Sequence, residues 1–290
     1  KNLRKMYKRI LVPVDFTEKS HRALEIACQM AKKLESEVYI MHVVKAALSV
    51  YLDELGNYKS KAPAGQKFLE EVLAINESKI RKLINKFDSS GIKMHSKLKV
   101  DSNPNEIARL VAEEAFDLTV VGNYEHERFD EVFRRTHPEK IAALAKNPVL
   151  IVNNALADFK VSKILVPTNL SDDYSSSTQQ LIDFAKTFNA EVNFVYINTQ
   201  ANFMTTLQVE KMTTEFKALN GLDKQNVSIF NAKSLKRGIL YAADYHESDM
   251  IGLFSHHRGN IKNLLVGNIT EYLITKSDIP VLTFNLSDRQ

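Results

Sequence analysis

Short β-branched apolar runs alternate along this chain with longer stretches in which apolar residues recur every three or four positions. The first pattern marks strands buried on both faces, and the second marks helices with one buried face. Runs at 10–14, 38–44, 97–100, 118–121 and 149–152 predict strands, and so do runs at 164–167, 192–197, 227–231, 250–254 and 281–284. Leu24, Ala27, Ala31 and Leu34 lie on one helical face, behind Thr17 or Ser20 as a cap. Further helices are predicted over 66–87, 107–115 and 141–145, with counterparts near 203–219, 239–246 and 269–276. Strands and helices that alternate in this way imply an α/β fold with a doubly wound parallel sheet.

The order occurs twice. RILVPVD at 9–15 returns as KILVPTN at 163–169, an offset of 154 that also matches Ala31-Lys32 with Ala185-Lys186 and Glu37-Val38 with Glu191-Val192. Later segments match at an offset of 132: Asp117 with Asp249, Glu139 with Glu271, and Pro148-Val149-Leu150 with Pro280-Val281-Leu282. The first copy is therefore longer by 22 residues, and Gly56, Pro63 and Gly65 predict a loop around 46–66. The length of 290 residues suits two domains, 1–154 and 162–290, joined by a polar linker at 155–161. So short a linker keeps the copies together, packed as a pseudo-twofold dimer. Their last strands, 149–152 and 281–284, should pair across that axis, because an exposed apolar edge invites aggregation.

Composition narrows the partners. Hydrophobic residues at 44% and charged residues at 26% exclude collagen-like and largely disordered chains. The net charge of +4 divides into +5 before residue 158 and −1 after it, so neither copy carries a nucleic-acid footprint. The basic start, Lys1 to Arg9, precedes an apolar run of only Ile10 to Val14, too short for a signal peptide or membrane span. The expectation is a cytoplasmic protein with no membrane or nucleic-acid partner. Cys28 is the single cysteine, which excludes an intrachain disulfide, and its apolar helical stripe predicts a buried, structural thiol. Glycine is scarce, at 9 residues or about 3% of the chain against a usual 7%. Loops that cradle phosphate generally need several.

Several segments carry a resemblance. They are ILVPVD at 10–15, HVV at 42–44, DLTVVG at 117–122 and EKIAALAKNPVLIV at 139–152, then ILVPTN, DMIGLFSH at 249–256, VGNITEYL at 266–273 and IPVLTF at 279–284. Each is weak alone, but the ordered set, occurring twice, resembles the universal stress protein family in a tandem two-domain form. The resemblance implies two Rossmann-like, adenine nucleotide alpha hydrolase-like domains. It also implies ATP or another adenine nucleotide as the group such a fold holds, in those members that bind one. The family pattern places a glycine after the fourth strand, a second three residues on, and, after nine more, a glycine followed by serine or threonine. Backbone N–H groups at a helix N-terminus then hold the phosphate, and glycine permits the close approach.

Carried over residue by residue, the pattern is incomplete in both copies. In the first, the resemblance points to Pro13, Val14 and the strand-end acid Asp15, to His42 and Val43, to Gly122 and Asn123, and to Thr136. Glu125 and Arg135 replace the other two glycines, and Glu127, Asp130 and Glu131 add negative charge. One like-charge contact at 4 Å costs about 4 kcal/mol near a protein surface, half of the roughly 8 kcal/mol in a micromolar affinity. In the second, it points to Thr168, Asn169, Tyr196, Ser255, Gly267 and Asn268. Asn169 replaces the acid, Phe254 and His257 replace two glycines, and Asn268 stands where a hydroxyl residue is usual, as a candidate helix cap. Phe254 crowds a phosphate, although His256, His257, Arg258 and Lys262 would attract a small anion.

The adjacent pair His256-His257 reads as a solvated loop rather than a metal site. No GxSxG, HExxH or P-loop occurs. The expected function is non-catalytic: a stress-response binding or signalling protein with degenerate nucleotide sites and an unknown protein partner. The alternative is an ATP-binding member with weak ATPase activity. A more distant option is an electron-transfer flavoprotein-like subunit. The internal pseudo-dimer leaves further homo-oligomerisation open.

Overall fold

The computed structural model describes residues 7–45, 63–87, 91–101, 106–123, 138–152, 159–256 and 264–286. In the first half the order is β1 (Arg9–Pro13), α1 (Glu18–Leu34), β2 (Glu37–Lys45), α2 (Pro63–Asn85), β3 (Met94–Asp101), α3 (Glu106–Glu113), β4 (Leu118–Gly122), α4 (Pro138–Leu144) and β5 (Val149–Val152). The second half runs β6 (Lys163–Thr168), α5 (Ser175–Phe188), β7 (Glu191–Thr199), α6 (Thr206–Asn220), β8 (Asn226–Ala232), α7 (Leu235–Tyr245), β9 (Met250–His256), α8 (Leu264–Lys276) and β10 (Val281–Leu286).

All ten strands form one sheet in the order β3-β2-β1-β4-β5-β10-β9-β6-β7-β8. The order reads as the same five-strand pattern from either end, as a pseudo-twofold axis through its centre requires. Neighbours are parallel within each half. At the seam β5 and β10 pair antiparallel, with Leu150 opposite Leu282 and Val149 opposite Thr283, which is the cross-copy pairing expected from their apolar edges. Asn285 donates to the Ala142 carbonyl at the end of α4 across the seam at 2.8 Å, and Asn123 donates to the matching Ile274 carbonyl of α8.

Because side chains of a strand alternate, each strand feeds two cores. Ile10, Val12, Ile40, Val166 and Phe194 pack beneath α1, α2, α5 and α6, while Leu11, Met41, Leu165 and Val195 pack beneath α3, α4, α7 and α8. Both layers run through the two halves without interruption. Cys28, on the buried face of α1, has its thiol pushed up to about 12 by burial, with Glu25 adding to the effect. It should stay unmodified by a thiol reagent in the folded protein and react once denatured. Labelling of the native protein at the rate of a free cysteine would contradict this.

Several helix boundaries differ from those expected. Pro63 and Gly65 belong to the first turn of α2 rather than to a loop, since proline fits the first helical position, where its missing N–H is not needed. Because α2 has 23 residues against 15 in α6, part of the extra length of the first copy is helical. The rest of the expected loop, 46–62, and most of the linker lie outside the described residues. Thr17, not Ser20, caps α1, accepting from the Ser20 N–H at 3.3 Å.

The repeated acids hold the start of each half. Asp117 accepts the N–H groups of Lys8 and Arg9, both at 2.8 Å, and Asp249 accepts those of Ser162 and Lys163 at 2.7 and 2.9 Å. Glu37 accepts hydrogen bonds from Lys93 at 2.6 Å, Tyr39 at 2.9 Å and His95 at 3.0 Å. These, with the Lys93 bond the largest, hold its carboxyl down to about 2 from an ordinary 4.5. A depressed folded pKa gives stability that is present above 4.5 and lost as pH falls through 2. The stability difference between the native protein and Glu37→Gln should therefore shrink across that window in denaturant titrations. A difference independent of pH would contradict the assignment.

Candidate ligand-binding site

A doubly wound sheet places ligands outside the carboxyl ends of its strands, at the point where the strand order reverses. Here β1 pairs with β4 only through Ile10 to Leu118 and Leu11 to Thr119, and then the strands part. In the second half β6 and β9 pair through Ile164 to Met250 and Leu165 to Ile251, and part likewise. Of the residues expected to line a site, Thr168, Asn169 and Tyr196 line a cavity at the second of these crevices.

In the first crevice, side chains already engage one another. The Asp15 carboxylate accepts from the Thr17 N–H at 3.1 Å and its hydroxyl at 2.6 Å, and the Asp15 N–H meets the Ser20 hydroxyl at 3.4 Å. The strand-end acid thus organises the start of α1. His42 is buried, and its Nδ1 donates to the Val14 carbonyl at 2.6 Å. Phe16 takes a left-handed backbone conformation, φ 66°, and lays its ring 4.5 Å from the His42 imidazole. Pro13, Val14 and Val43 are buried among the strands. Asn123 is turned to the seam described above.

Gly122 has a steric reason to be glycine. A Cβ there would lie 2.5 Å from the Lys19 carbonyl oxygen in the first turn of α1, where backbone contacts backbone. Thr136 lies outside the described residues, as do Glu125, Arg135 and His257.

The second crevice is built differently, although it starts from the same repeat. Position 254 corresponds to Gly122 and carries a phenylalanine. It fits because α5 begins at Ser175, three residues later in the repeat than α1, while both helices end in register. The missing turn is replaced by a loop led by Asn169, whose side-chain oxygen accepts the N–H groups of Ser171 at 3.0 Å and Asp172 at 3.2 Å. Asn220 fixes the loop from α6, accepting the Tyr174 N–H at 2.6 Å and donating to the Asp172 carbonyl at 3.1 Å. The Phe254 ring stacks on Tyr174, 4.8 Å away at 24°, and Tyr174 donates to the Asp172 carboxylate at 2.6 Å.

Beside this stack lies a cavity of about 300 Å³. Pro167, Ile197, Leu235, Ile239, Leu253 and Ile269 form apolar walls, and Thr168, Asn169, Asp172 and Tyr196 bring polar atoms to it. Tyr196 is fixed by donating to the Asn202 carbonyl at 2.5 Å. Asp172 is the charged residue among the described residues that line the cavity. Ser255 lies in β9. Gly267 and Asn268 fall inside α8, which opens at Leu264, so Asn268 is not the cap expected of it; the helix starts a turn earlier, where the two leucines are good helix formers.

The arrangement of Asp172, Tyr174 and Phe254 was beyond reach of the sequence pattern, which showed only that a glycine was missing. The delayed start of α5 could have been suspected from Ser171, which stands where Thr17 caps α1 but is followed by no helical turn.

The model of the universal stress protein family matches residues 6–153 and again residues 160–285. A universal stress protein of Methanocaldococcus jannaschii is 26% identical over 152 residues, covering 52% of this chain and 85% of its own. A second from the same archaeon is 23% identical over 154 residues, covering 51% of this chain and 95% of its own. The crystal structure of a universal stress protein from Archaeoglobus fulgidus aligns over 96% of this chain and 98% of its own with a TM-score of 0.69 at 15% identity, a likeness of fold.

Proposed function

The chain belongs to the universal stress protein family, in tandem form, and from that membership we propose a non-catalytic stress-response binding and signalling protein in which neither site takes ATP. The observation that carries this reading is Phe254. Its ring stands where the fold would bring backbone N–H groups to a phosphate, and it is locked there by Tyr174. The cavity beside it has mostly apolar walls, and a phosphate placed against them would lose its hydration.

The first half retains two marks of a nucleotide site, Asp15 and Gly122, yet each has a task within the protein. Asp15 is bonded to Thr17, and Gly122 makes room for the Lys19 carbonyl. Their retention therefore does not require a nucleotide, and the alternative of a weak ATPase loses its main sequence support. Regulation would act through a different ligand or through contacts with a protein partner.

Calorimetric titration of the full chain with ATP and magnesium, combined with a phosphate-release assay, tests the reading. No saturable heat at micromolar ATP and no release above the uncatalysed rate are expected. Saturable micromolar binding would favour the ATP-dependent alternative, and phosphate release abolished by denaturing the protein would make it an enzyme.

A further inference from the structure

We propose that two copies of the chain associate edge to edge through β8, antiparallel about a twofold axis at Ile229, so that one sheet runs through both. The association does not depend on the nucleotide reading above. β3 and β8 are the two ends of the ten-stranded sheet, and among the described residues no strand lies beyond either. An edge strand keeps a row of N–H and C=O groups pointing outward, and natural edges are commonly guarded by charge. β3 is guarded: its sequence, MHSKLKVD, carries Lys97, Lys99 and Asp101. β8 reads NVSIFNA, 7 residues with no charge.

Apolar surface flanks that uncharged edge on both faces of the sheet. Val227 packs on the core beneath α6, and Ile229, on the same face of the strand, is 44% exposed. On the other face Phe230 meets Tyr245 of α7, with ring centres 5.8 Å apart. Tyr245 is 74% exposed, and Tyr241, one turn earlier on the same side of the helix, is 59% exposed. Exposed tyrosines beside an open edge are the residue type that interfaces favour.

A second copy fits this edge because the strand is complementary to itself. Antiparallel pairing centred on Ile229 sets Ser228 opposite Phe230, Val227 opposite Asn231 and Asn226 opposite Ala232. Beyond the strand, Lys233 meets Gln225 and Lys224 meets Ser234, so no two like charges stand opposite each other. Such a contact uses the same patch on both chains and closes at two. The protein already pairs apolar strands in this way at its seam, where β5 and β10 run antiparallel across the pseudo-twofold axis. Pairing β8 with β3 of another copy would instead grow without limit, and Lys97 and Lys99 oppose it.

Sedimentation velocity of the full chain, from about 1 μM to about 100 μM, should show a monomer passing into a dimer and nothing larger. Ile229→Lys sets a charge opposite itself and should leave a monomer throughout. Ile75→Lys, at an exposed site on α2 in the other half, should dimerise as the native chain does. Tyr245→Ala, whose ring is largely exposed, should weaken the dimer roughly tenfold. Ile229→Cys adds a geometric readout: mild oxidation should link two chains at that position, with Cys28 buried and out of reach. Ile75→Cys should link far more slowly. A monomer at about 100 μM, a dimer untouched by Ile229→Lys, or species that keep growing with concentration would overturn the proposal.

Discussion

Gly122→Ala should destabilise the protein in the absence of any ligand, by about 1–3 kcal/mol or more. The new methyl carbon would lie 2.5 Å from the carbonyl oxygen and 2.7 Å from the carbonyl carbon of Lys19. Both belong to backbone, which cannot swing aside as a side chain does. Relief requires the first turn of α1 to lift from the end of β4, and that turn is tied to Asp15 through both Thr17 and Ser20. The buried face of α1, with Ala23, Leu24 and Ala27 fully enclosed, would lose packing as it lifts. Urea denaturation of the ligand-free protein reads the effect as a lower midpoint. If Gly122→Ala had native stability and altered only nucleotide binding, the glycine would be a phosphate-loop residue after all.

Phe254→Ala should cost about 3 kcal/mol, at the lower end of the 3–5 kcal/mol typical of deleting a core aromatic ring. The ring is 9% exposed and touches Tyr174, with Phe284 5.9 Å away on β10. Its loss removes the stack that holds the Asn169–Tyr174 loop and merges the vacated space with the existing cavity. Because one side of the ring already faces that cavity, fewer contacts disappear than in a closed core, which places the cost at the lower end. The same variant should enlarge the cavity without creating an ATP site, because Asp172 stays and α5 still begins late. A denaturation midpoint unchanged by Phe254→Ala would mean that Phe254 does not support the loop.

The two variants sit at equivalent positions of the repeat and explain how far the sequence could be read. The strands were legible because runs such as Ile10–Val14 and Ile164–Val166 are too apolar and too short for anything but buried strands. The offset of 154 then aligned Phe16 with Leu170, and both adopt positive φ, 66° and 61°, so even an unusual turn follows the repeat. The pairing of β5 with β10 was legible from apolar edges that needed a partner. Helix starts were less so. Leu264 and Pro63 open helices where turn residues nearby suggested loops, since a proline or glycine reads the same in a first helical turn as in a loop. The room for Phe254 depends on the late start of α5 at Ser175, 79 residues earlier, and no local pattern carries such a dependence. Scarce glycine raised the question of altered phosphate loops, whose residues 124–137 and 257–263 lie outside the described ones, and the Lys19 carbonyl gives Gly122 a steric reason that needs no phosphate.

On the proposed reading, neither half of this tandem protein holds a nucleotide. The most direct measurement is to denature the purified full-length protein and quantify released small molecules by mass spectrometry. Adenine nucleotide far below one equivalent per chain is the predicted result, and near-stoichiometric ATP or another adenine nucleotide would contradict it.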